Sequence, residues 1–184
     1  MKAQKRARNG VQKEYSKLKI DQETYEIGDT VEVKISERML SFGTILKIWS
    51  DNLNNPKIRV RWLVKPTEIF EPKPFFSQGE LFDTESYDVI PAQDVCGKIK
   101  LMDFDEYHNR EIADDNSYFT RATVTKNKKI RPPFSEWKKI CICKSIFNPD
   151  DIHVVCEGCE EIFHPDCVVI LDEAEPWYCS VCLH

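Results

Sequence analysis

The sequence predicts a mainly β protein: a barrel-like domain of short strands followed by a small module stapled by metal ions. Three observations carry that expectation. Between residues 24 and 124, apolar residues alternate with polar ones in short runs broken by turns. Seven of the eight cysteines then crowd into the last 44 residues of the 184. A basic stretch precedes both, with seven Lys/Arg against Glu14 alone in residues 1–20.

Taken in order, residues 1–22 read as a basic arm, suited to touching nucleic acid phosphates weakly or serving as a nuclear import signal. No apolar stretch follows the first residues, so no secretory leader is expected. The longest aliphatic run is Val168 to Leu171, so no membrane span is expected either. At 41% hydrophobic and 31% charged, the composition is that of a folded chain.

Residues 23–125 form the expected β domain. Val31, Val33 and Ile35 alternate with polar neighbours, and Phe42 to Trp49 follow as a second strand. After the turn-rich Asp51–Pro56 comes a third, with Ile58, Val60, Trp62 and Val64 on one side and Arg59, Arg61 and Lys65 on the other. Further strands are expected at Tyr87–Ile90, Val95–Met102 and Tyr118–Val124. Cys96 reads as a small buried hydrophobe, and His108, His153 and His184 as ordinary residues. Residues 126–138, with Pro132 and Pro133, read as a short, stiff, basic linker.

Residues 139–184 carry the chemistry. Cys141, Cys143, Cys156, Cys159, His164, Cys167, Cys179 and Cys182 make eight potential ligands in four close pairs. Zinc takes four nitrogen or sulfur ligands in a tetrahedron, so eight donors fit two closed, structural sites. The metal also answers a stability problem, because so short a segment buries too little apolar surface to hold a fold alone. A disulfide framework is disfavoured by the odd number of cysteines in the cluster and by a histidine at ligand spacing. The segment is acidic as well, with ten Asp/Glu against Lys138, Lys139 and Lys144 from residue 135 onward. That balance favours a cationic partner over nucleic acid.

The ligand order, with Trp177 two positions before the seventh ligand, resembles the PHD finger family. The resemblance implies a cross-brace: Cys141, Cys143, His164 and Cys167 on one zinc, and Cys156, Cys159, Cys179 and Cys182 on the other. Phe163 and Trp177 are then its miniature core. Upstream, Tyr25-Glu26-Ile27-Gly28-Asp29-Thr30-Val31, Arg59-Val60-Arg61-Trp62, Gly79-Glu80-Leu81-Phe82 and Tyr87-Asp88-Val89-Ile90-Pro91 succeed one another as they do in the BAH (bromo-adjacent homology) domain. The pair resembles the small plant BAH–PHD chromatin readers of the Short Life and Early Bolting in Short Days type. That resemblance implies a nuclear, chromatin-associated reader that docks the histone H3 tail or proteins of a chromatin complex.

In those readers an aromatic cage holds a methylated lysine through the negative faces of its rings. Here the three cage positions of the finger hold Ile140, Phe147 and Ile162, so little trimethyl-lysine selectivity is expected. Asp150, Asp151, Glu157, Glu160 and Glu161 offer an alternative set of acceptors for an unmodified lysine, an arginine or a free amino terminus. In the β domain Trp62 matches the cage tryptophan and Asp88 an acidic position near the groove, while Ser41 and Val64 replace other rings. Trp62 also lies on the apolar stripe with Ile58 and Val60, which is a core reading.

Catalysis is not expected. No glycine-rich phosphate loop, G-x-S-x-G or H-E-x-x-H occurs, and the metal ligands are consumed structurally. The alternatives to a reader are a scaffold subunit without mark recognition and a RING-like ubiquitin ligase, the latter disfavoured by ligand order and by Trp177.

Overall fold

The computed structural model describes residues 13–110, 114, 116–170 and 176–183. The chain begins with three short strands, β1 (Lys13–Tyr15), β2 (Lys17–Ile20) and β3 (Glu23–Glu26). Then come β4 (Thr30–Ser36), β5 (Met39–Ser50), β6 (Pro56–Val64), the single turn α1 (Pro66–Ile69) and β7 (Phe82–Pro91). β8 (Val95–Asp103), α2 (Phe104–His108), β9 (Ser117–Thr120), β10 (Thr123–Val124) and β11 (Ile130–Arg131) follow. Four two-residue strands, β12 (Lys139–Ile140), β13 (Ser145–Ile146), β14 (Val154–Val155) and β15 (Ile162–Phe163), complete it.

One curled sheet dominates, in the order β11-β10-β7-β6-β5-β4-β8-β9, with β1 added against β5. β9 lies parallel to β8 at one end of this path, and β10, two residues later in the chain, lies parallel to β7 near the other. Residues 117–124 therefore bridge the two margins of the sheet and curl it into a half-barrel.

The alternation seen in the sequence places the core. Val31 and Val33 of β4, Ile45 and Ile48 of β5 and Ile58 and Val60 of β6 are all fully buried in one cluster. Ile45 and Ile48 are three apart, which strict alternation would put on opposite faces. A bulge between Ile45 and Lys47 absorbs the extra residue and turns Leu46 outward, so Ile45 meets Val60 and Ile48 meets Ile58. Gly43 lies opposite Val60's neighbour Trp62, and a Cβ at Gly43 would come within a tight 3.1 Å of the Val60 Cβ.

Three expectations are corrected here. Of the arm, residues 1–12 lie outside the described residues, but Lys13–Tyr15 and Lys17–Ile20 are strands: Tyr15 pairs with Ile48, and Leu18 and Ile20 pack on the main cluster. The span 126–138 is no spacer. β11 extends the sheet, and Trp137, 5% exposed, packs with Phe82, Ala122 and Val124 among the rings of Phe70, Phe75, Phe76 and Phe134. Cys96 is exposed, because β8 turns its neighbour Val95 inward.

Candidate metal centre

Each knuckle of the C-terminal module is built from a tight turn. β12 and β13 pair as a hairpin whose connection is Cys141 to Lys144. Cys141 (φ 65°) and Lys144 (φ 56°) both take the left-handed conformation, and the Lys144 amide donates to the Cys141 carbonyl at 3.2 Å. The Cys141 amide donates to the Ile162 carbonyl at 2.9 Å, which ties this hairpin to β15. His164 follows β15 directly, and the 3₁₀ turn Pro165–Cys167 swings Cys167 back beside it. The result brings one donor atom each from Cys141, Cys143, His164 and Cys167 within 4.8 Å of one another.

The second cluster joins Cys156, Cys159, Cys179 and Cys182, again within 4.8 Å. The Glu160 amide closes its turn on the Cys156 carbonyl at 2.8 Å, and the Cys182 amide closes on Cys179 at 2.9 Å. Gly158 is obligatory, since a Cβ there would meet the Cys182 Cβ at 2.8 Å and its sulfur at 3.0 Å. Between the clusters, Phe163 and Trp177 pack edge to face at 5.2 Å with Cys156 and Cys179, as the sequence suggests.

The distances fit tetrahedral coordination. Thiolates about 2.3 Å from a central ion stand about 3.8 Å apart, and a thiolate and imidazole pair about 3.5 Å apart. Here the Cys159 and Cys179 sulfurs are 3.9 Å apart, and the Cys143 sulfur lies 3.4 Å from His164 Nδ1. The two sets alternate along the chain, so the donors interleave as the cross-brace requires. Both clusters could therefore hold metal ions. A third grouping, Asp151, His153 and His164, shares His164 with the first.

The thiols are uneven before any ion arrives. Burial opposes ionisation of Cys156, but amide donors from Cys179, Cys159 and Gly158 outweigh it and bring its pKa down to about 6. Cys141 is likewise opposed by burial yet brought to about 6 by the Cys143 and His164 amides, the His164 ring and Cys167. The last thiol of each set goes the other way. Sharing a proton with Cys141 pushes Cys167 up to about 11, and sharing with Cys179 pushes Cys182 up to about 12. Like charges crowd each site, and a cation relieves that.

The expected recognition residues have different fates. Phe147 has no exposed surface, and Ile140 (3%) and Ile162 (9%) join it in one buried cluster. The reason is the neighbouring domain: Phe104, presented by α2, packs edge to face on Phe147 at 5.4 Å, and His108 does so at 4.7 Å. Phe147 is thus a contact between the modules, and cannot be a ring open to a ligand. Asp150 is engaged as well, accepting from the Gln78 amide at 2.8 Å, and Asp151 accepts from Asn148 Nδ2 at 3.1 Å. Asp151 also lines an open groove of about 940 Å³ beside the first cluster, with Ile152, Val154, His164, Asp166 and Trp177. Glu157, Glu160 and Glu161 are exposed. On the barrel, Asp88 is exposed on β7, whereas Trp62 is half-buried against the main cluster and stacks on no ring among the described residues. Ser41 and Val64 are half-buried.

Sequence reasoning missed the residue that joins the modules. Arg121, at the junction of β9 and β10, donates to Glu80, to the Phe75 carbonyl at 2.7 Å and to the Phe147 carbonyl at 2.7 Å, with its guanidinium 4.0 Å from the Trp137 ring centroid. Its only trace in the sequence is an arginine inside a strand-like run.

Comparison with known proteins agrees with this architecture. The family model of the BAH domain matches residues 23–151. Chromatin remodeling protein SHL of Arabidopsis thaliana is 31% identical over 134 residues, 70% of this chain and 58% of that protein. Chromatin remodeling protein EBS of the same organism is 32% identical over 138 residues, 74% of this chain and 58% of that protein. The chain therefore spans less than two thirds of the length of these relatives. The crystal structure of the yeast Rsc2 BAH domain superposes with a TM-score of 0.54 at 16% identity, over 64% of this chain and 53% of that one, a likeness of fold. With its curled sheet, its landmarks and well over half its length matched, the chain belongs to the BAH-domain family.

Proposed function

We propose that the protein is a non-enzymatic, nuclear, chromatin-associated adaptor whose C-terminal module is a PHD-type finger holding two structural zinc ions. The interleaved pair of four-donor clusters, packed onto a BAH barrel, is the observation that carries this reading. Seven thiolates and one imidazole suit zinc, and four protein donors per ion leave no position for a reacting water. The names of the two plant relatives support a chromatin setting.

Within that setting the finger docks the histone H3 tail or a partner protein by charge and shape. The positions that would cage a methylated lysine, Ile140, Phe147 and Ile162, are consumed in packing. What remains is the groove with Asp151 and Asp166, suited to a cationic chain segment that donates hydrogen bonds. Trimethylation removes those donors, so it should not strengthen binding. Calorimetric titration with unmodified and Lys-trimethylated N-terminal H3 peptides is the test. The unmodified peptide is expected to bind at least as well, and tighter binding of the trimethylated one overturns the reading.

A further inference from the structure

Cations collect on the outer face of the β5–β6–β7 sheet. With Ile58 and Val60 committed to the core, Lys57, Arg59 and Arg61 stand on the other side of β6. Cross-strand register sets Lys47 against Arg59 and Tyr87 against Arg61. Tyr87 is 55% exposed and carries two cations on its ring: the Arg59 guanidinium lies 3.9 Å from the centroid and the Lys126 ammonium 6.0 Å. Lys126 lies in the turn between β10 and β11, where Lys128 and Lys129 are also exposed.

Arg61 pairs with Asp83 at 2.9 Å and Lys47 pairs with Glu14. Among the described residues, the side chains of Lys57, Arg59, Lys126, Lys128 and Lys129 make no ion pair, although Glu85 stands beside Lys126 and accepts from its amide at 3.3 Å. The chain has 31 acidic residues and a net charge of −5. Leaving like charges unpaired side by side in such a chain works against the folded state, and an external polyanion would relieve the repulsion.

We propose that this face binds duplex DNA through its phosphates, without reading sequence. From Lys57 to Arg61 the strand covers about 13 Å, the rise of about four phosphates along one DNA strand. Stacking on Tyr87 holds the Arg59 plane while leaving guanidinium N–H groups for a bidentate phosphate contact. An acidic protein is the poorer match, because lysine is depleted at protein interfaces, whereas Lys and Arg side chains are typical phosphate contacts. The surface is distinct from the acidic finger, so it adds a second type of contact to the one proposed above.

Fluorescence anisotropy of the full chain with a short labelled mixed-sequence duplex tests the proposal. Affinity should fall linearly on a log–log plot against salt. The double substitution Arg59→Gln/Lys126→Gln should weaken binding about tenfold and reduce the salt slope by about 2. Lys98→Gln/Lys100→Gln, on β8, should leave binding as it was. If the double variant has a lowered thermal midpoint, Lys126→Gln alone, in an exposed turn, must still weaken binding in the same direction. Absence of binding, or binding indifferent to these substitutions, overturns the proposal; the latter would place the contact elsewhere on the chain. Polyglutamate competing as well as unlabelled duplex overturns it in favour of an acidic protein partner.

Discussion

Arg121 and Glu80 form a two-point ion pair in the seam between the barrel and the finger: Nε lies 2.6 Å from Oε1 and Nη2 3.0 Å from Oε2, with side-chain exposures of 9% and 0%. Two further donors of Arg121 go to carbonyls, one on each module. A buried pair of this kind contributes little beyond an apolar replacement, but breaking it strands a charge. Arg121→Ala is therefore expected to lower the unfolding free energy by about 3–5 kcal/mol. Arg121→Lys should recover little of it, since an ammonium cannot span the fork. Urea denaturation of the metal-loaded chain measures both.

The same pair has a pH signature. Burial raises the Glu80 carboxyl above its ordinary 4.5, against the pull of Arg121 and the Ser77 amide. The folded chain then keeps a proton that the unfolded chain has lost. This contribution is full below the ordinary value and declines as pH rises through the raised one. Glu80→Gln should remove that decline. Urea midpoints compared with the parent chain between about pH 4 and about pH 7 reveal it, because proton competition at the thiolates is common to both proteins.

Metal removal should be felt beyond the finger. Phe147, Asn148 and Asp150 of the module bond or pack to Phe104, Pro74 and Gln78 of the barrel. Two zinc ions per chain are expected by elemental analysis. A chelator should lower the melting temperature of the β domain as well as release the finger, and a finger-only effect would show the contacts to be weak.

Gly158→Ala should selectively damage the second cluster. The added methyl must displace Cys182, whose sulfur belongs to that set. Zinc content is expected to fall from two toward one per chain, while the donors of the first cluster keep theirs.

Substituting Ile162→Trp, which restores the ring of a methyl-lysine cage, should not confer trimethyl-lysine binding. The residue is 9% exposed and packed against Ile140 and Phe147, so the larger ring overfills the cluster at about 1–3 kcal/mol. Thermal unfolding and the H3 peptide titration together decide it.

The strands of the barrel and the eight donors were legible because each rests on a local pattern: alternation for Val31, Val33, Ile58 and Val60, and spacing for the cysteines. Two of the losses share one cause, which is packing between segments distant in sequence. Trp137 reads as part of a basic, proline-bearing linker, and only the ring cluster of Phe70, Phe75 and Phe76 explains its burial. Phe147 carried the right chemistry for a cage, yet α2, a short helix some forty residues earlier, covers it. Cys96 reads as buried from its residue type and its strand-like setting, but the inward Val95 beside it turns it to the outer face.

The bridge made by residues 117–124 bears on how the chain comes into being. Until that stretch has left the ribosome, β7 and β8 stand with bare margins, ready to pair with any neighbouring strand. Closure must wait for contacts between partners far apart in sequence, a slow kind of step. A fragment ending at residue 116 would keep most of the apolar core and still be prone to clump.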